Sequence, residues 1–260
     1  MGFFGMGDFE RLVYDGLLVG GLAVAGFVFV VLFFVDAPYG RFSRSGWGPV
    51  IPARAGWVLM ESVSLGVFVS CVWVGGPVWS AGLGVLVLAW VVHYGYRAFV
   101  YPFRMRERGK TMPVLIFGFA ILFNSMNGFL NGRYLGVGSA QYGAEWLSDP
   151  RFLIGMIIFV VGFGINHHAD GVLFRLRGPG ESGYKIPRGG LYRWVSCPNY
   201  FGEMVEWIGF GIAVWSWAGA YFAIWTAANL IPRAVAHHRW YRATFEEYPM
   251  ERRAAFPFLL

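Results

Sequence analysis

The sequence predicts an all-α, polytopic membrane protein with seven transmembrane helices. Hydrophobic residues make up 57% of its 260 residues and aromatic residues 19%, whereas only 14% are charged. Soluble domains carry about 25% charged residues, so this composition excludes a soluble globular protein. Seven apolar segments approach the roughly 20 residues that a helix needs to cross a bilayer. The cationic residues also fall almost entirely on one side of the resulting topology, as they do in membrane proteins.

The apolar segments give the order of the predicted helices. They are residues 13–35, 56–74, 82–100, 112–131, 152–166, 201–217 and 219–235. The first is too long for the apolar part of a cleaved signal peptide, so it is expected to remain in the protein. The fifth and sixth are short, and only the stretch WSWAGAY separates the last two, which leaves one kinked pair as an alternative. Without a repeat or a soluble segment, residues 1–260 are predicted to form a single integral-membrane domain.

The distribution of Lys and Arg predicts the orientation of these spans. Only three of the 21 cationic residues, Arg11, Arg133 and Arg151, lie on the side of the N-terminus, and the other 18 lie on the opposite side. Because cytoplasmic loops carry the excess of Lys and Arg, the N-terminus is predicted outside and the C-terminus in the cytoplasm. This alternation requires an odd number of spans and therefore favours seven.

Glu61 stands well inside the second predicted span. A carboxylate in hydrocarbon costs about 2.5 to 3.5 kcal/mol on insertion scales, so an acidic residue there is first interpreted as functional. The alternative is a buried Glu that pairs with an arginine or a backbone group for packing. In a transporter Glu61 would lie on a proton path, but one acidic residue without a partner acid makes a poor relay.

The longest predicted cytoplasmic connection carries polar residues where helices enter the bilayer. Asn166 and Asp170 are four residues apart and Arg177 follows seven residues later, so a continuous helix would place all three on one face. Asn199 and Glu203 repeat the four-residue spacing after the loop. Cationic side chains and Gly-rich backbone lie between the two pairs, a combination that suits phosphate. Topology alone accounts for any single cationic residue here, but not for the polar cluster.

A second polar stripe leaves the seventh span. Arg233, His237 and Tyr241 recur every four residues and so share one helix face. Such side chains at a membrane interface also snorkel without any ligand. The five histidines form no histidine box, and no metal site is predicted. One conceivable but unsupported set of metal ligands is Glu203, Glu206, His237 and His238.

Five stretches along the chain match a known family. They are APYGRF, PARAGWVLMES, HYGYRAFVYPFR, GINHHADGVLFRLRGPGESGYKIPRGGLYRWVSCPNYFGEMVEWIGF and RAVAHHRWYRATFEEYP. Together they closely resemble the membrane steroid 5α-reductases, the 3-oxo-5α-steroid 4-dehydrogenases, in a bacterial-type form. The resemblance covers nearly the whole chain after residue 36, in the same order and with similar spacing. It is therefore much more specific than any single motif.

The resemblance implies an enzyme that uses NADPH to reduce the C4=C5 double bond of 3-keto-Δ4 steroids such as testosterone or progesterone. By position, Glu61 and Tyr94 match the catalytic pair that holds the steroid 3-keto oxygen. Hydride delivery to C5 pushes negative charge onto that oxygen, so the site needs donors there in a dry cavity. Glu61, shielded from water by the surrounding helices, is expected to stay protonated as one donor, with Tyr94 as the second.

The resemblance also assigns cofactor and substrate positions. The cofactor-binding residues are Tyr39, Arg41, Arg97, Arg108, Lys110, Asn166, Asp170, Arg177, Tyr184, Asn199, Glu203, His237 and Tyr241. The residues expected to contact the steroid are Trp57, Met60, Phe123 and Trp225. Lys110 stands where the family has Arg. A guanidinium that can bind an anion through two parallel N–H groups is thus replaced by an ammonium group, which acts as a point charge. Met60 stands where many relatives have Gln, a difference that bears on steroid preference and on the hydrogen bonding of the next residue, Glu61.

The partners and location follow from this assignment. The protein is expected to act as a monomer on a steroid within membrane lipid, without nucleic acid. It is placed in the bacterial inner membrane or the endoplasmic reticulum membrane, with its cofactor site facing the cytoplasm. A sterol or polyprenol reductase and a methyltransferase using S-adenosylmethionine are the alternatives among enzymes. The 2′-phosphate of NADPH would account for the many arginines, whereas a methyl donor carries no phosphate.

Overall fold

Long helices dominate the computed structural model, which describes residues 5–105, 109–176, 178, 181 and 183–260. The helices are α1 (Asp8–Val31), α2 (Ala53–Val74), α3 (Ala81–Phe99), α4 (Tyr101–Arg104), α5 (Val114–Val137), α6 (Pro150–Arg175), α7 (Pro198–Val214) and α8 (Trp217–Thr244). Two strands of three residues, β1 (Val50–Pro52) and β2 (Thr111–Pro113), pair antiparallel with Ile51 opposite Met112. Short 3-10 helices occupy Gly40–Phe42, Ser139–Gln141, Ala144–Ser148 and Gly190–Arg193. The predicted helical fold class is confirmed.

Each predicted span coincides with one long helix, and the largest differences in length lie in α6 and α8, which both continue nine residues beyond the predicted end. Helix α6 continues to Arg175 instead of ending at 166. Asn166 and Asp170 do not end it, because both side chains point into the protein and are 2% exposed. Sequence reasoning placed the end of the span where apolar residues stop, whereas the helix continues as long as its polar side chains find partners inside the protein.

The last two predicted spans are two separate helices. Trp215 adopts a left-handed backbone conformation with φ 51°, which ends α7. Ser216 then caps α8, since its hydroxyl accepts a hydrogen bond from the Gly219 N–H at 3.0 Å. A serine in this position satisfies one of the free N–H groups of the first helical turn. The alternative of one continuous kinked pair is therefore excluded.

Within the described residues, five helices are long and apolar enough to cross a membrane. They are α1, α2, α5, α6 and the segment Ala81–Arg104, which joins α3 to α4. Helix α7 has only 17 residues. Helix α8 is longer, but polar side chains such as Asn229 and Arg233 interrupt its apolar sequence. A membrane protein with several spans is thus supported, while seven spans and their orientation stay predictions.

Glycines allow α6 and α7 to pack with their backbones in direct contact. A Cβ atom on Gly162 would lie 2.6 Å from Glu206 Cα, and one on Gly202 would lie 2.8 Å from the Gly162 carbonyl oxygen. Only residues without a Cβ permit such an approach between membrane helices. The same Cβ on Gly202 would lie 2.9 Å from Asn166 Cα. The glycine contact therefore sets how closely the polar residues of α6 approach those of α7.

Gly162→Ala is expected to destabilise the protein by about 1 to 3 kcal/mol, because overpacking forces the two backbones apart. The measurement is the thermal unfolding midpoint of the purified protein in detergent. Gly164→Ala is the matched control, since a Cβ on Gly164 of the same helix would meet no atom within 4 Å. Equal midpoints for the two variants would contradict the proposed role of the glycine contact.

Aromatic side chains fill the middle of the bundle. The rings of Trp90 and Phe68 stack with centroids 4.4 Å apart and planes at 7°. The rings of Trp207 and Phe222 lie 4.0 Å apart in the same cluster. Tyr94 packs 5.0 Å from Trp90. Such close ring packing fixes the position of the Tyr94 side chain without a ligand.

Candidate functional site

One end of the bundle encloses a cavity of about 1160 Å³. Helices α1, α3, α6 and α8 end around it, and α2, α5 and α7 begin around it. Eleven of the residues predicted to bind a cofactor line this cavity: Tyr39, Arg41, Arg97, Lys110, Asn166, Asp170, Tyr184, Asn199, Glu203, His237 and Tyr241. The two others, Arg108 and Arg177, lie outside the described residues. The fold thus brings together residues that span some 200 positions of sequence, from Tyr39 to Tyr241.

Polar side chains of α6 and α7 form the floor of the cavity. Asn166 Nδ2 donates to the Asn199 carbonyl oxygen at 3.0 Å, and Asn199 Nδ2 donates to Asp170 Oδ1 at 3.1 Å. Glu203, one turn after Asn199, lines the same cavity. The structure therefore joins the two i, i+4 pairs that the sequence places on separate helices.

Arg41 is held in the cavity wall by three aromatic rings. Its guanidinium carbon lies 5.0 Å from the ring centre of Tyr184 and 4.5 Å from those of Trp240 and Tyr241. Its Nη2 donates to the Tyr241 hydroxyl at 3.1 Å, whereas its buried Nη1 has no hydrogen-bond partner among the described residues. Lys110 Nζ lies 3.4 Å from the Tyr184 hydroxyl. A buried guanidinium N–H without a partner is suited to an acceptor from a ligand.

Two further residues of the cavity wall were not assigned to a ligand from the sequence. Arg233 Nη2 donates to the Tyr200 hydroxyl at 3.0 Å, and that hydroxyl lies 3.1 Å from His237 Nε2. The Arg233 guanidinium also lies 4.8 Å from the ring centre of Tyr39. Arg233 carried a signal in its helical spacing with His237 and Tyr241. Tyr200 carried none beyond its position next to Asn199.

Arg97 connects the cavity floor to the predicted catalytic acid. Its Nη2 lies 3.7 Å from Glu61 Oε1 and its Nη1 lies 4.0 Å from Asp170 Oδ2. The guanidinium packs against two rings, with its carbon 4.8 Å from the centre of Trp57 and 4.4 Å from that of Tyr101. Tyr101 is a further cavity residue that sequence reasoning missed. One buried cation therefore lies between two carboxyl groups with different predicted roles.

Glu61 and Tyr94 lie deeper in the bundle than the open cavity. They are 7% and 3% exposed, respectively, and they are close enough to interact electrostatically. The Tyr94 hydroxyl oxygen accepts a hydrogen bond from Asn127 Nδ2 at 3.5 Å. The structure brings the two predicted catalytic side chains into one region, next to the cavity and joined to it through Arg97.

The predicted steroid contacts divide between the cavity and this deeper region. Trp57 lines the cavity and packs against the Arg97 guanidinium. Phe123 and Trp225 pack against each other with ring centroids 5.0 Å apart, and the indole N–H of Trp225 is buried without a partner among the described residues. Met60 is buried beside Glu61, and its backbone carbonyl accepts a hydrogen bond from Asn124 at 2.7 Å.

The cavity contains a thiol, but not a reactive one. Cys197 lines the wall near the start of α7. Burial raises the pKa of the Cys197 thiol to about 12. The thiol therefore stays protonated at neutral pH, and only a thiolate would act as a nucleophile. Chemistry through a covalent cysteine intermediate does not fit this site.

The conceivable metal ligands do not converge on one point. His238 Nδ1 lies 2.6 Å from the Ser196 hydroxyl, and Glu206 Oε1 lies 2.7 Å from His93 Nδ1. In the part of the chain that the structure describes, no group of three or more His, Cys, Asp and Glu side chains has the arrangement of a metal site. The polar groups around the cavity are better suited to an organic ligand.

Comparison with known proteins gives a consistent result along nearly the whole chain. Residues 110–260 match the family model described as 3-oxo-5-alpha-steroid 4-dehydrogenase. A 3-oxo-5-alpha-steroid 4-dehydrogenase 1 of Bos taurus is 44% identical over 255 residues, covering 96% of this chain and 98% of the relative. The Homo sapiens protein of the same name is 45% identical over 226 residues, covering 86% of each chain. A steroid 5-alpha-reductase of Gossypium hirsutum is 42% identical over 234 residues, covering 88% of this chain and 91% of the relative.

Proposed function

Since the chain belongs to the 3-oxo-5-alpha-steroid 4-dehydrogenase family, we propose that it uses NADPH to convert 3-keto-Δ4 steroids such as testosterone and progesterone to 5α-dihydrosteroids. Membership makes the protein an oxidoreductase that acts on CH–CH groups, in a family that reduces the steroid C4=C5 bond. In this proposal the whole chain is one reductase domain. The steroid lies among the membrane helices and the cofactor lies in the cavity at their end.

The charge of the cavity supports a cofactor that carries phosphate. Arg41, Arg97, Lys110 and Arg233 all line it, and the residues that the structure describes offer no acceptor to the buried Arg41 Nη1 group. Charge-assisted hydrogen bonds of this kind are strongest to phosphate and carboxylate oxygens. S-adenosylmethionine has no phosphate, whereas the phosphate groups of NADPH would offer acceptors of full negative charge to the Arg41 guanidinium. The residues present therefore fit NADPH, which supplies a hydride when bound.

Glu61 and Tyr94 would act at the other end of the reacting enone. Addition of a hydride at C5 moves an electron pair onto the 3-oxygen, and a proton is then added at C4 to complete the reduction. Two buried hydrogen-bond donors at the 3-oxygen stabilise that charge most effectively where water is excluded. Burial of both side chains supports this role.

The single observation that carries the proposal is the position of Arg97. It contacts Asp170 in the cavity floor and Glu61 in the deeper region. A cofactor bound on the floor would therefore lie on the same side of the bundle as Glu61. A steroid whose 3-oxygen meets Glu61 could then present its C5 to the cofactor, since the atoms that exchange the hydride must approach to about 3 to 3.5 Å. Arg97 itself would hold the two carboxyl groups at a fixed separation.

The proposed function is tested with the purified protein, NADPH and progesterone. The expected product is heavier than the substrate by one molecule of hydrogen and co-elutes with the 5α-dihydrosteroid in liquid chromatography coupled to mass spectrometry. Mass spectrometry of small molecules released from the same protein is expected to detect NADPH or NADP. Release of S-adenosylmethionine, or no conversion of any 3-keto-Δ4 steroid, would reject the proposal.

The proposal includes a seven-span topology with the cavity facing the cytoplasm. All seven long helices begin or end around the cavity, and 18 of the 21 cationic residues belong to that side in the seven-span topology. A reporter fused after Leu260 is therefore expected to be cytoplasmic, and one fused before Phe3 external. The same location for both reporters would require an even number of spans. In the bacterial inner membrane or the endoplasmic reticulum, this monomer would then take NADPH from the cytoplasm.

A further inference from the structure

Three asparagines form a polar ladder on the buried face of α5. Asn124, Asn127 and Asn131 follow one another at spacings of three and four residues, which places them on one helix face. Their side chains are nearly or completely inaccessible, with exposures of 6%, 0% and 1%. A buried amide is costly unless its polar atoms have partners. Asn124 donates to the Met60 carbonyl oxygen at 2.7 Å. The other two form a chain of hydrogen bonds that ends at the Tyr94 hydroxyl.

The contacts determine which way the two amides of Asn127 and Asn131 point. Asn131 Nδ2 lies 3.2 Å from the Asn127 carbonyl oxygen and 3.0 Å from Asn127 Oδ1. A backbone carbonyl only accepts, so Asn131 must present its NH₂ group there. Asn127 must then present its oxygen to Asn131, because two facing NH₂ groups form no hydrogen bond. The Asn127 NH₂ group is therefore directed at the Tyr94 hydroxyl oxygen, 3.5 Å away.

This direction decides where the hydrogen of the Tyr94 hydroxyl can point. Because the oxygen accepts from Asn127, its own hydrogen is directed away from Asn127 and towards another acceptor. The nearby Ser64 does not decide the direction, since its buried hydroxyl makes no hydrogen bond within the described part of the chain. A distance of 3.5 Å is long for a hydrogen bond. Catalytic hydrogen bonds are often long without substrate and shorten in the complex.

We propose that Asn127, oriented by Asn131, is a positioning residue that keeps the Tyr94 hydroxyl hydrogen directed at the 3-keto oxygen of the steroid. This inference rests on the proposed function and adds two residues to it. Each donor in the chain from Asn131 through Asn127 polarises the next, so Tyr94 donates more strongly than an isolated tyrosine. Asn127 acts through Tyr94 and does not itself contact the steroid.

A double-mutant cycle between positions 127 and 94 tests the inference, with steroid reduction measured in single turnovers at saturating NADPH. Asn127→Leu has a similar volume and no donor, and it is expected to lower the rate about tenfold when Tyr94 is present. In the Tyr94→Phe background the same substitution is expected to change the rate by less than about twofold, because no hydroxyl remains to be oriented. NADPH affinity is expected to stay unchanged in all variants. Ser125→Ala, a polar residue of α5 outside the ladder, is the control and should keep the parental rate.

The possible outcomes separate the inference from the proposed function. A parent protein that reduces no 3-keto-Δ4 steroid rejects both. If the parent is active and Asn127→Leu keeps the parental rate, the positioning role alone is rejected. The same holds if Asn127→Leu lowers the rate by the same factor with and without the Tyr94 hydroxyl, since a structural role acts equally in both backgrounds. If Asn127→Leu does not fold, as judged by its thermal midpoint, Asn131→Ala provides the same cycle with a smaller side chain and the same expected dependence on Tyr94.

Discussion

Glu61→Ala is expected to abolish measurable steroid reduction while NADPH still binds with parental affinity. Loss of one donor to a developing oxyanion typically costs about 100- to 1000-fold in kcat, or roughly 2.7 to 4 kcal/mol. The floor of the cavity should keep its structure, because the hydrogen bonds that join Asn166, Asn199 and Asp170 do not involve Glu61. The measurements are kcat with progesterone and the affinity for NADPH from a fluorescence titration.

Two further variants separate the acidity of Glu61 from its shape. Glu61→Gln keeps the shape and an N–H donor but loses the acidic proton, so we expect it to be strongly impaired and not fully inactive. Tyr94→Phe removes only the hydroxyl and should be impaired to a similar degree. Near-parental kcat in Glu61→Ala, on a steroid that the parent protein reduces, would show that the carboxyl group is structural.

Arg41→Ala is expected to raise the apparent KM for NADPH by about 10- to 150-fold, since hydrogen bonds to charged groups are worth about 1.5 to 3 kcal/mol. The buried Nη1 group and the three surrounding rings hold Arg41 ready for an acceptor. The effect should appear mainly in KM, because the residue lies in the cavity wall and not near Glu61.

Arg44→Ala is the matched control for this prediction. Arg44 belongs to the same connection after α1 and carries the same charge, but it is exposed and donates to the Asp36 carbonyl oxygen at 2.8 Å. Its replacement is expected to change the KM for NADPH by less than about twofold, as is usual for surface positions. A similar rise in KM for both variants would indicate a general effect of net charge and would remove Arg41 from the site.

Sequence periodicity predicted the helices and part of the site. Apolar segments located all seven long helices, because each of these helices contains a run of mostly apolar residues. The four-residue spacing of Asn166 with Asp170, and of Asn199 with Glu203, predicted correctly that each pair shares a face. This spacing is a local property of one helix, so it can be read from the sequence.

Contacts between helices were not predictable in the same way. The pairing of Arg97 with both Glu61 and Asp170 depends on how α2, α3 and α6 are placed relative to one another. Asn127 and Asn131 did carry a signal, since amides in a membrane span are costly and need partners. Their function could be inferred only when the structure placed Tyr94 next to them, and the boundary of α6 similarly depended on interior partners.

Substitutions of the glycines between α6 and α7 would have effects that are easily misinterpreted. Gly162 and Gly202 carry no functional group, yet their close approach places Asn166 against α7. A bulkier residue at either position is expected to weaken binding of the proposed cofactor although every side chain proposed to bind it remained intact. In genetic terms, such a variant would have the phenotype of a binding-site mutation while lying outside any set of residues chosen for their chemistry.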